Sequence, residues 1–250
     1  MTHYRKEDLK TPLPGLYLLL QLYPCNGVNS LMKKISAIFS DNIYFFTGYC
    51  LFMLISILFL SFNSKVNGFV LLNPYHSKPL DLFFMIYTNV GDGLFSIGIF
   101  LLLLWLRRPL PGWEIVFAFL LSGLVVQVVK NFFPMPRPKT LIGDAHYAYF
   151  IDGFTHVGNA SFPSGHTATA FGTAALLSIF TKNKNYSLLY LSAALLVAYS
   201  RIYLGQHFLQ DVLAGALIGV PVALIVYFVF DNNKSWIEKL KFKKSNKINN

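Results

Sequence analysis

Charge is scarce in this chain. Only 13% of its 250 residues are Asp, Glu, Lys or Arg, against 54% hydrophobic, whereas a soluble domain carries about 25% charged residues. A water-soluble surface cannot be assembled from so little charge, so the composition points to an integral membrane protein. Cysteine is scarcer still: Cys25 and Cys50 are the only two, and no disulfide framework is implied. Acidic residues number 11 against 21 basic. The resulting formal charge of +10 would suit a nucleic-acid binder if the basic residues formed one patch, but their distribution follows membrane topology and implies no nucleic-acid partner. Aromatics are plentiful, with 24 Phe and 14 Tyr, as suits a bilayer-embedded body with interfacial rings.

Six apolar runs approach the ~20 residues needed to cross a bilayer: residues 43–62, 83–106, 115–133, 168–180, 187–204 and 209–230. The expected fold is therefore all-α, a bundle of six transmembrane helices. Gly91-Asp92-Gly93 interrupts the second run, and the fourth is short. Residues 16–22, with Tyr17 and Tyr23 beside them and Lys33 and Lys34 following, read as an interfacial segment. Pro12, Pro14 and acidic residues ahead of them argue against a cleavable signal peptide. The chain divides into a cytoplasmic or interfacial segment (1–42), a membrane domain (43–230) and a basic cytoplasmic tail (231–250) in which Trp236, Ile237, Leu240 and Phe242 interrupt the lysines. With both ends inside, fifteen of the 21 basic residues are cytoplasmic, among them Arg107, Arg108, Lys182 and Lys184, as the positive-inside rule requires. Lys65, Lys78, Lys130, Arg137, Lys139 and Arg201 fall on the outer side.

That topology gathers polar residues at the outer ends of spans three to six. Lys130 closes span three, and Pro136 and Pro138 hold Arg137 on an extended segment. Ser164-Gly165-His166 opens span four with Ser164 at the expected N-cap, so the Ser164, Gly165 and His166 amides face an anion at the positive helix end. Arg201 ends span five. His207 and Asp211 begin span six at i and i+4, one helix face, so the carboxylate is expected to accept the Nδ1 proton and leave Nε2 free. Three cations and helix-terminus amides suit phosphoryl transfer, which is catalysed largely by positioning and charge stabilisation. His207 is the candidate nucleophile and His166 the candidate acid.

Lys130-x6-Arg137-Pro138, Pro163-Ser164-Gly165-His166 and Ser200-Arg201-x5-His207-x3-Asp211 resemble the three signature motifs of the type 2 phosphatidic acid phosphatase family, within the acid phosphatase and vanadium haloperoxidase superfamily. The resemblance covers residues 80–228, with a weaker likeness around Asn89-x-Gly91-Asp92. It implies that Lys130, Arg137, Ser164, Gly165 and Arg201 bind phosphate, that His166 is the general acid, that His207 forms a phosphohistidine, and that Asp211 orients it. It also implies a metal-independent lipid phosphatase, without cofactors, of the cytoplasmic membrane. Implied substrates are isoprenoid diphosphates such as undecaprenyl diphosphate, phosphatidic acid, phosphatidylglycerol phosphate and lipid A. A phosphotransferase using the same intermediate, a haloperoxidase and, from another class, a transporter are the rival readings.

Each motif alone has a plainer explanation: Lys130 as an interfacial lysine whose stem lies in lipid, Pro-Ser-Gly as a turn, Arg201 as a topology anchor. Three coincident spacings outweigh them. Asp92 is expected to cap the second half of span two, with pairing to a site arginine as the lesser reading. His76, His146 and His156 are expected in solvated outer loops and form no metal-ligand spacing. Ala170-x3-Ala174 and Gly215-x3-Gly219 are expected to let spans four and six approach closely.

Overall fold

The computed structural model describes residues 25–233; the segment 16–22 and the tail aromatics lie outside them. The chain forms two compact units, residues 1–43 and 44–250. Helix α1 (Cys25–Asp41) belongs to the first. In the second, α2 (Ile43–Phe62), α3 (Lys65–Leu72), α4 (Lys78–Tyr87), a 3₁₀ turn (Thr88–Gly91), α5 (Gly93–Trp105), α6 (Pro109–Phe132), α7 (Pro138–Ile142), α8 (Gly165–Phe180), α9 (Tyr186–Tyr203) and α10 (Leu209–Asn232) follow in order. No strand occurs among the described residues, and the all-α expectation holds.

Three helices, α2, α6 and α10, are long and apolar enough to cross a membrane. The α4 and 3₁₀ segment with α5 makes a fourth candidate bent by 60°, and the bend falls at the glycine-flanked Asp92. There the Asp92 carboxylate accepts the Leu94 amide at 2.9 Å and caps α5, restarting the helix in a new direction. The fourth apolar run folds as α8, 16 residues long with eleven of them buried. Its Ala, Gly and Thr residues suit a helix surrounded by protein, and α8 packs against α10, α9 and α6.

Helix α10 approaches α8 through its glycines. A Cβ on Gly215 would stand 2.4 Å from Ser164 O, and one on Gly219 would stand 2.2 Å from Ala168 O. Only glycine admits this backbone-to-backbone contact. Ala170 and Ala174 do something else: they face an apolar hollow against α5 and α9, because the successive turns of α8 that meet α10 lie on its other side.

His76 corrects the sequence reading. Its side chain is only 5% exposed, its ring stacks on Tyr203 with centroids 4.0 Å apart, and its nitrogens lie 2.9 Å from Asp81 and 3.0 Å from Asn73 Oδ1. The connection between α3 and α4 folds back onto the end of α9, where the buried Asn73 donates to Ile202 O and Tyr203 O. His146 is exposed, as expected.

Candidate active site

Four chain segments meet at one end of the bundle. Lys130 lies half-buried in the last turn of α6. The proline-rich segment after it is pinned to residues 158–161: Arg137 N donates to Gly158 O at 2.9 Å, Ser161 N donates to Met135 O at 3.0 Å, and Met135 bridges Ala160. Proline fixes φ, and these cross-links fix the rest, so Arg137 is presented from a rigid ribbon. Its Nη1 donates to both Gln206 O and Gln206 Oε1 at 3.0 Å.

Arg201 is buried in the last turn of α9 and donates from Nη1 to Thr88 Oγ1 at 2.8 Å. The chain then turns sharply at Gly205, whose φ of 64° lies where glycine carries no Cβ penalty. A Cβ there would also stand 2.8 Å from the Phe150 ring. Gln206 N and His207 N both donate back to Arg201 O, which ties the arginine and the histidine into one turn. From the connection between α7 and α8, Thr155 Oγ1 donates to Leu204 O at 3.1 Å.

The helical pairing expected for His207 and Asp211 is corrected. Helix α10 starts at Leu209 with Phe208 as N-cap, so His207 precedes the helix and no shared helical face exists. The two residues are still juxtaposed, with Nδ1 3.6 Å from Asp211 Oδ2, longer than a hydrogen bond. Oδ2 is already engaged by Ser161 Oγ at 2.6 Å and Phe208 N at 2.9 Å; Nδ1 and Oδ1 have no partner. His207 is 2% exposed and Asp211 fully buried. Burial is the main cause that pushes the His207 pKa down to about 4; the positive charges of Arg201 and Arg137 add to it, and Asp211 opposes it. The imidazole is therefore neutral near pH 7.

Ser164 is the N-cap of α8, its hydroxyl accepting from Thr167 N at 3.5 Å and Thr167 Oγ1 at 2.9 Å. One of the three expected amide donors is already used, since Ser164 N donates to Asp211 O at 2.9 Å. The Gly165 and His166 amides, in the half-buried first turn, remain as unpaired helix-start donors. His166 lies within electrostatic reach of Arg201, His207, Lys130 and Arg137, so every sequence-derived candidate falls in one cluster.

Two further residues belong to it. Gln206, fully buried, accepts from Arg137, lies 2.9 Å from His156 Nδ1 and donates to Phe154 O at 2.9 Å. Asp92 points Oδ2 at His166 Nε2 from 3.8 Å while Oδ1 caps α5. Gln206 sits inside the third motif, but spacing alone does not say whether it faces the site. From the sequence Asp92 reads first as a cap and second as a partner for a site arginine; its approach to His166 is not legible there.

Comparison with known proteins agrees. The family model described as the PAP2 superfamily matches residues 111–235. Lipid A 4'-phosphatase of Porphyromonas gingivalis is 33% identical over 175 residues, 66% of this chain and 72% of that protein. The crystal structure of Aquifex aeolicus LpxE superposes with a TM-score of 0.53 at 32% identity, covering 66% of this chain and 96% of that one. A transmembrane PAP2-type phosphatidylglycerolphosphate phosphatase from Bacillus subtilis shares the fold, with a TM-score of 0.55 at 21% identity, covering 74% of this chain and 96% of that one. Helical bundle, phosphate-type site and relatives together define a multi-pass membrane phosphatase. The chain belongs to the PAP2 superfamily.

Proposed function

We propose that the chain hydrolyses the terminal phosphate of a lipid phosphate or diphosphate through a phosphohistidine on His207. The observation that carries this is the buried His207 imidazole beside a fully buried carboxylate, within reach of Arg201, Arg137 and a second histidine. Lys130, Arg137 and Arg201 with the Gly165 and His166 amides and the Ser164 hydroxyl hold the phosphoryl oxygens. The His207 Nε2 lone pair attacks phosphorus as the bond to the lipid oxygen breaks, and that oxygen takes a proton from His166. Burial and the neighbouring cations push the free His166 pKa down to about 3, so the bound phosphate's own negative charge has to hold the proton on His166, with Asp92 adding to it from 3.8 Å. Water then attacks the phosphohistidine, returning its proton to His166 and releasing inorganic phosphate. Charge on the phosphoryl group is met throughout by fixed cations and amides, so the proposed mechanism needs no metal.

In this proposal residues 43–230 make six spans between an N-terminal segment and a basic tail, both ends are cytoplasmic, and the site lies at the outer face of a cytoplasmic membrane. Basic residues flanking α5, α6, α8 and α9 at the opposite end support that orientation. The likeness to a lipid A 4'-phosphatase puts lipid A first among substrates, ahead of phosphatidic acid, phosphatidylglycerol phosphate and undecaprenyl diphosphate. Phosphate release by the purified protein, measured across those four lipids with chelator and with vanadate, tests the proposal. Release that survives chelator and stops with vanadate is expected. A requirement for a divalent ion overturns the metal-free mechanism, and phosphorylated lipid acceptors in place of inorganic phosphate identify a phosphotransferase. An impermeant thiol reagent on intact cells checks orientation: Thr155→Cys should label and Asn183→Cys should not.

A further inference from the structure

An apolar hollow of about 320 Å³ lies between α5, α8 and α9, and its position relative to His166 gives it a purpose. Ala170, Ala174 and Leu177, which line it, follow His166 at i+4, i+8 and i+11, the spacing of one helix face. The face of α8 that starts with the candidate acid thus continues inward as the wall of the hollow. Ile99 closes it from α5, Ala194 and Tyr190 from α9. A second hollow of about 380 Å³ at the α5 bend is lined by Asp92 and shares Val90 and Phe95 with the first. Asp92 is 3.8 Å from His166 Nε2, so the second hollow borders the site and, at the shared Val90 and Phe95, adjoins the first.

We infer that this groove holds the substrate's hydrocarbon chain and that Tyr190, at its inner end, limits the chain length accepted. The inference rests on the phosphatase reading of the His166 end. From His166 to Leu177 α8 rises ~16 Å at 1.5 Å per residue, about half of the ~30 Å hydrocarbon core, which is the depth one lipid tail occupies. Only Thr173 and Tyr190 among the lining residues carry a polar side-chain atom, so the wall suits methylenes. Alanines create the space, since larger side chains at Ala174 and Ala194 would close it. Tyr190 is held across the inner end by a hydrogen bond of 3.0 Å between its hydroxyl and Thr181 Oγ1.

The test is phosphate release by the purified full chain from n-alkyl monophosphates of graded length in one fixed detergent. Wild-type kcat/KM is expected to climb with chain length and then drop. A pocket that excludes a methylene discriminates by ~10-fold or more, so Ala174→Phe should lower kcat/KM by at least about tenfold for long chains and leave the shortest unchanged. Tyr190→Leu should move the drop to longer chains, and Tyr190→Phe, which keeps the ring, should not. The two Tyr190 variants decide the matter if Ala174→Phe does not fold. Profiles identical to wild type in all variants that release phosphate would mean that ordinary bilayer lipid fills the groove, and would overturn the inference. No release from any alkyl phosphate by wild type would instead overturn the phosphatase reading itself.

Discussion

Adding one methyl group at Gly219 should cost most of the activity of this protein without touching a single polar residue. The glycine sits on α10 where a Cβ would stand 2.2 Å from Ala168 O and 2.9 Å from Ala168 C on α8. Both are backbone atoms and cannot rotate away, so restoring ordinary contact requires the helices to part by about 1 Å. His166 rides on α8, while Asp211 rides on α10 and accepts the Ser164 amide across the interface at 2.9 Å. Separation stretches that bond and moves the two histidines relative to one another. A 1 Å misplacement of reacting groups costs on the order of 10²-fold in rate, and overpacking costs about 1–3 kcal/mol of stability. Gly219→Ala is therefore expected to lose about 100-fold in kcat/KM for phosphate release while remaining helical by far-UV circular dichroism below its lowered melting temperature. Gly98→Ala is the matched control, because its Cβ would meet nothing within 4 Å. Wild-type kcat/KM in folded Gly219→Ala would refute the claim that this contact sets the site's geometry.

Three other outcomes follow from the site. The acid limb of kcat/KM reports the free enzyme; with the His207 pKa pushed down to about 4 and only the neutral ring nucleophilic, activity should persist as pH falls through the ordinary histidine range and fail near about 4. A limb at the ordinary value of about 6.5 would contradict the burial argument. His207→Ala should show no turnover, and residual phosphate release would end its assignment as nucleophile; Asp211→Asn should remain folded, slow by ~10²–10⁴-fold, and shift the acid limb to still lower pH because the charge that favours protonation is gone. Gln206→Leu should weaken substrate binding through Arg137, with a rise in KM of roughly 10- to 100-fold corresponding to a lost charged hydrogen bond; an unchanged KM would show that Arg137 holds its place without Gln206.

Helix content and the location of the site were legible because both depend on local pattern. Apolar runs must satisfy their backbone polar groups internally in lipid, which forces helices, and three spaced motifs at helix ends collect wherever those ends meet. The burial of His76 was not legible because it comes from Asn73 and Tyr203, residues whose approach depends on how the connection between α3 and α4 folds back. His207 and Asp211 are neighbours, 3.6 Å apart, although no helix joins them. An i, i+4 spacing pairs side chains only where a helix runs through both, whereas here the Phe208 amide uses the Asp211 carboxylate to start the helix after His207.

The sequence by itself determined a charge-poor, helical membrane protein and singled out Lys130, Arg137, Ser164, Gly165, His166, Arg201, His207 and Asp211 as candidates for phosphate handling, since composition, run length and motif spacing are properties of the chain. Tertiary structure alone decided that Gln206 braces Arg137, that Asp92 faces His166 as well as capping α5, and that Ala170 and Ala174 border a groove while Gly215 and Gly219 make the tight contact. The physical reason is that a side chain's partner across a bundle is set by how far each helix rotates and where it bends. Those two quantities come from the packing of all the helices at once, and no segment carries them alone.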